Sequence, residues 1–187
     1  MPLPGPSLNS LISGSIFVGE MNFSGKNITL RNIGVDHGET EFPSTVGNAI
    51  KISYSAGDPS DGENDGGNCF LENVIGLCKV AASPAEASHA ILVEGYAYCD
   101  LKGLYGIRGN FNVALKVQRA NIDGVICVAG GTDCFILKAD DQFGDADYVN
   151  VNGLNIAGAL GDTQNLIRIE AFSNQMERMN FSNLVGN

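Results

Sequence analysis

Four aspartates crowd the segment KADDQFGDADY at 138–148, and two of them, Asp140 and Asp141, are adjacent. Hydrolysis of a glycosidic bond uses two carboxyls, about 5 Å apart for retention and about 6.5–9.5 Å apart for inversion. One protonates the leaving oxygen; the other attacks or activates water. Asp140 and Asp141, at the end of an apolar run, are candidates for that work, with Glu170 in IRIEA (167–171) as a third carboxyl. The same oxygens suit Ca²⁺, although an EF-hand loop would need Gly at its sixth position and Glu at its twelfth. A hydrophilic turn is the alternative. A second acidic loop, DPSDGENDGGN, holds Asp58, Asp61, Glu63 and Asp65. Charge repulsion and glycine favour a loose segment there, with weak Ca²⁺ binding as the alternative. No resident cofactor is specified.

Cations suited to an acidic sugar sit in short apolar runs: Lys116 in LKVQR, Lys138 in FILKA and Arg168 in IRIEA. The guanidinium fork bonds carboxylates bidentately, so Arg168 fits a uronate best. Glu94 and Gln118 are further candidate ligand contacts from the same family of runs. The plainer reading is a solvated face whose charges pair across strands, Lys138 with Glu170 for example, at a few tenths to about 1 kcal/mol each. His89 precedes a strand without a nearby Ser or Cys nucleophile pattern, so a catalytic triad is unsupported.

These residues depend on two alternating patterns. The short one reads IFVGE at 16–20, IKISY at 50–54, ILVEG at 91–95, LKVQR at 115–119, FILKA at 135–139 and IRIEA at 167–171. Apolar residues at positions 1 and 3 mark half-buried strands. The long pattern reads ITLRNIGV at 28–35, CFLENVIG at 69–76, CDLKGLYG at 99–106, ANIDGVIC at 120–127, VNVNGLNI at 149–156 and MNFSNLVG at 179–186. It alternates in the same way until Asn or Gly at position 5. Those residue types tolerate a left-handed backbone and imply a sharp bend.

A repeat of 20–40 residues whose units cannot bury their own apolar faces implies a stack. Like strands then pair as parallel sheets about 4.8 Å apart. The expected fold is all-β, a right-handed single-stranded parallel β-helix of about six to seven coils, since parallel crossovers are right-handed. Outward positions would form two rows: Phe17, Lys51, Leu92, Lys116, Ile136 and Arg168, beside Gly19, Ser53, Glu94, Gln118, Lys138 and Glu170. Gln118 to Asn121 would have to turn where the two patterns abut. Residues 1–14, with three prolines, read as a lead-in or linker, and 15–187 as the domain. The last repeat leaves no segment to cover its strands, so a fragment of a longer chain is expected, with a covering subunit as the alternative.

Composition narrows the function. The 187 residues are 44% apolar and 17% charged, enough for one core, with a net charge of −10 that disfavours nucleic acid. No 18-residue apolar run supports a membrane span. Five cysteines without CxxC argue against zinc and against a disulfide framework. Cys69 and Cys99 share position 1 of the long pattern and should stack in the core. Together with an N-terminal segment unlike a signal peptide, this favours synthesis in a reducing cytoplasm.

Strand, Asn/Gly bend, strand over roughly residues 15–187 resembles the pectin-lyase-like superfamily of parallel β-helices. That resemblance implies polysaccharide as partner and, if the chain is active, a glycoside hydrolase or polysaccharide lyase. Reduced cysteines look most like its phage tailspike members, which implies a virion-associated, homo-oligomeric (dimeric or trimeric) protein. Asp36-His37-Gly38 is similar to the Gly/Ser-His-Gly element of polygalacturonases. The order relative to the Asp pair is reversed, so that activity is not carried over. Two functions follow: a polysaccharide-binding or -degrading module, or a non-catalytic structural or receptor-binding segment. Outward Phe17, Leu92 and Ile136, as an exposed apolar row, favour the second.

Overall fold

The computed structural model describes residues 9–37, 47–54, 66–78, 88–109, 111–128, 133–138, 148–157, 165–170 and 177–186. Among them there is no helix, and twelve strands form one sheet. These are β1 (Asn9–Val18), β2 (Met21–Ser24), β3 (Asn27–Asp36), β4 (Ile50–Ser53), β5 (Gly67–Leu77) and β6 (His89–Ile107). Then come β7 (Phe111–Val128), β8 (Asp133–Lys138), β9 (Tyr148–Ala157), β10 (Asn165–Glu170), β11 (Met179–Ser182) and β12 (Val185–Gly186).

All pairings are parallel and fall into two ladders. The long ladder runs β1, β3, β5, the second halves of β6 and β7, β9, then β11 with β12. The short ladder runs β2, β4, the first halves of β6 and β7, β8 and β10. Parallel pairing requires a connection back to the starting edge, and here each ladder supplies the other's connection. β6 and β7 belong to both.

Position 5 of the long pattern forms the corner. Asn32, Asn73, Gly103, Gly124, Gly153 and Asn183 have φ of 53°, 53°, 62°, 77°, 74° and 53°. Their flanking residues are in register from each strand to the next, so all six lie on one row. The left-handed conformation explains why only Asn and Gly occur there. Asn73 Nδ2 donates to Asn32 Oδ1 at 3.0 Å, tying two of these corners together.

Inward residues stack by type, and burial of these rows is the main stabilising contribution. Leu30, Leu71, Leu101, Ile122 and Val151 form one core row, and Ile33, Val74, Leu104, Val125 and Leu154 a second. Ile50, Ile91, Val113 and Phe135 supply the short ladder's side. Cys69 and Cys99 are direct partners in the core, as their shared position requires, and all five cysteines are buried free thiols. Burial pushes the Cys78 thiol up to about 12 and raises Cys99 and Cys127 as well.

Four expectations need correction. Residues 16–18 belong to β1 and pair with Gly34–Asp36, so the first short strand is Met21–Ser24 rather than 16–20. β1 also starts at Asn9, inside the segment read as a lead-in. The fourth short strand is shifted by two residues: Val113 pairs with Ile91 and Phe135, and Lys116 with Glu94 and Lys138. Period-2 alternation fits VALK and LKVQ equally, and Gly95 (φ 81°) is an extra residue that moves the register. Last, no turn interrupts Gln118 to Asn121, which run through β7 as strand.

Candidate functional site

The corrected register defines the outward face of the short ladder. One row is Asn22, Lys51, Leu92, Ala114, Ile136 and Arg168; the next is Ser24, Ser53, Glu94, Lys116, Lys138 and Glu170. Lys116 thus moves into the row of Glu94 and Lys138. Gln118 lies beyond the strip, in line with Ala97 near the start of the long ladder.

Charges on this face are largely spent on one another. Lys51 Nζ lies 2.6 Å from Glu94 Oε1 and Lys138 Nζ 2.9 Å from Glu170 Oε2. Arg168 contacts Glu170 through one guanidinium nitrogen and, through the other, donates to Asp133 Oδ2 at 3.0 Å. Asp133 is fully buried, so this pair anchors β10 on β8. Among the described residues of these two rows, Lys116 is the charged side chain without an ion pair. The cross-strand pairing expected between Lys138 and Glu170 is present. The carboxylate of Glu170 is held between two cations.

The apolar row is not exposed. Leu92, Ala114 and Ile136 are 8%, 3% and 1% exposed and pack with Phe111 as a second apolar cluster. Phe17, placed in this row by the sequence pattern, instead packs against the main core from β1. The outward side of the short ladder is therefore itself covered, which alternation alone does not reveal.

Beside this cluster His89 stacks on Phe111, with ring centroids 5.0 Å apart. Its Nδ1 lies 2.8 Å from Asn48 Oδ1, an acceptor, which puts the ring proton on Nδ1. Burial lowers His89 from 6.5 to about 4; Lys138 and Lys51 add to this and Glu94 opposes it. It is neutral at pH 7. Among the described residues, the Cys78 thiol contacts the backbone carbonyl of His89, at 3.2 Å, rather than its ring.

Asp140 and Asp141 lie outside the described residues, as do Gly38 and most of the 55–68 loop. Asp36 and His37 are at the end of β3, where His37 N donates to Leu77 O at 2.8 Å and its Nδ1 is buried without a partner. No group of three or more His, Cys, Asp or Glu among the described residues converges as a metal site.

The sequence reading passed over the long ladder's outward face. Tyr98, Arg119 and Tyr148 occupy one row there, each immediately ahead of position 1 of its repeat. Beneath them Asp100, Asn121, Asn150 and Asn180 form a hydrogen-bonded row. Asn121 Nδ2 donates to Asp100 Oδ1 at 3.5 Å, Asn150 to Asn121 at 3.0 Å and Asn180 to Asn150 at 2.9 Å. The signal for this row is position 2 of the long pattern, which reads Thr29, Phe70, Asp100, Asn121, Asn150 and Asn180 down the six repeats. No family model, curated protein or solved structure matches the chain.

Proposed function

We propose that this chain is a right-handed, single-stranded parallel β-helix of the pectin-lyase-like type, serving as a non-catalytic structural or receptor-binding segment of an oligomeric assembly. Two in-register parallel ladders that share β6 and β7, with one row of left-handed corners, support the coil architecture. The observation that carries the non-catalytic reading is the neutralised strip. Glu94 is paired with Lys51, and Glu170 lies between Lys138 and Arg168, so both carboxylates are already engaged by cations of the same face. Ile169 and Leu184, apolar side chains at core positions, are half-exposed and offer a face that further chain or a sister subunit would cover.

A second reading, glycan binding on the short ladder, rests on Lys116, the cation there without an ion pair among the described residues. It suits a single acidic group rather than a run of uronates. Incubating the protein with acidic and neutral polysaccharides and assaying reducing ends and unsaturated products separates the readings. The non-catalytic assignment expects neither product. Product formation lost on Asp140→Ala or Asp141→Ala would restore the depolymerase. Sedimentation should show a dimer or trimer, and a monomer at high concentration would remove the assembly.

A further inference from the structure

We propose that the outward face of the long ladder, built on Tyr98, Arg119 and Tyr148 over Asp100, Asn121 and Asn150, binds a linear uncharged oligosaccharide lying across the strands. This site is separate from the short-ladder strip and stands whether or not the chain cuts a glycan.

Exposed aromatic rings carry the first part. Tyr98 and Tyr148 are 40% and 48% exposed, against full burial of Tyr96 on the same β6. Phe70, 41% exposed, stands opposite Asp100 on β5 with its ring centroid 6.2 Å from that of Tyr98, and so ends the polar row in a further apolar surface. Each ring is fixed to a paired strand and loses little side-chain freedom when covered. Its face can take the C–H side of a pyranose, while a tyrosine hydroxyl remains for a sugar hydroxyl.

Spacing carries the second. Tyr98 and Tyr148 are separated by the rung of Arg119, so their backbones lie about 9.6 Å apart. Each sugar of an extended 1,4-linked chain advances by close to one rung. Alternate sugars would then meet Tyr98 and Tyr148, with the intervening sugar over Arg119.

The polar row carries the third. In the bonds linking Asn121 and Asn150, each amide uses one N–H and its oxygen along the row. Each keeps a second N–H and a second lone pair. A sugar hydroxyl both donates and accepts, so it matches that remaining capacity on β7 and β9. Formal charge balances locally: Arg119 and Lys102 stand with Asp100 and Asp123, and Lys102 Nζ is 3.2 Å from Asp100 Oδ2. On a molecule of net charge −10, a balanced face suits a neutral ligand better than a polyanion.

The test is calorimetric titration of the whole chain with neutral linear hexo-oligosaccharides, dimer to octamer, alongside uronic-acid oligomers of equal length. Saturable binding of a neutral oligomer is expected, weakened at least about tenfold in Tyr98→Ala/Tyr148→Ala. Tyr98→Phe/Tyr148→Phe should keep most of the affinity, because stacking survives. Unchanged thermal melting of both variants shows that the surface rather than the fold was altered. The proposal fails if no neutral oligomer binds, or if binding ignores the tyrosine pair. It also fails if only uronate oligomers bind and Lys116→Ala abolishes that binding.

Discussion

Gly103 and Gly124 share a corner but face different neighbours. A Cβ on Gly103 would stand 2.8 Å from Asn73 Oδ1, whereas on Gly124 it would meet Gly103 at 3.7 Å, an ordinary contact. Both need φ above 60°. Gly124→Ala should therefore cost about 1–2 kcal/mol from the left-handed backbone alone, and Gly103→Ala more. Gly124→Asn should be milder than Gly124→Ala, as Asn holds this conformation at three of the six corners. Urea midpoints of the three variants check the order. His89 gives a second prediction at this scale. Its unfolded pKa near 6.5 exceeds the folded value of about 4, so the unfolded chain binds the extra proton. Stability should be flat above pH 6.5, fall between 6.5 and 4, and level off below, by up to roughly 3 kcal/mol from this group. Subtracting the profile of His89→Gln isolates it from the carboxylates.

At the level of strands, ion pairs differ in worth according to what they cover. Arg168 bonds a fully buried Asp133, while Lys102 pairs with Asp100 on an open face. Arg168→Ala should cost about 2–4 kcal/mol by stranding part of a buried charge. Lys102→Ala should stay within about 1 kcal/mol. Chemical denaturation of each variant measures the difference. The same contrast explains which strands were legible beforehand. Corners could be read because a left-handed φ restricts residue type to Asn or Gly. The phase of a short strand could not, since Val113, Leu115 and Val117 alternate evenly, and Gly95 shifts the pairing by one only from Val117 onward. That ambiguity placed Lys116 and Gln118 in the wrong rows. Burial of Leu92 and Ile136 was equally hidden, because a covered outward face has no signature in alternation. The Tyr98–Arg119–Tyr148 row lies one residue ahead of the repeat and faces outward, where burial does not constrain residue type, so the apolar pattern does not mark it.

For the whole molecule, stability should depend on where in the stack a layer sits. Leu101 lies in a central layer and is fully buried, while Phe181 in β11 is only partly buried. Leu101→Ala should cost about 2–5 kcal/mol, and Phe181→Ala distinctly less for a larger side chain removed. Thermal melts of both variants against the parent decide it; equal losses would mean the layers do not behave as neighbours in a row. The one-row corner has a further consequence for how such a chain can change length. Deleting or inserting a single residue within a ladder strand would turn its core side chains outward in that layer and spoil the match with both neighbours. The repeat starts are nonetheless 21 to 41 residues apart. Apart from the register shifts beside Gly67 and Gly95, variation in length among the paired strands falls in the connections, and a ladder grows or shrinks by a whole strand.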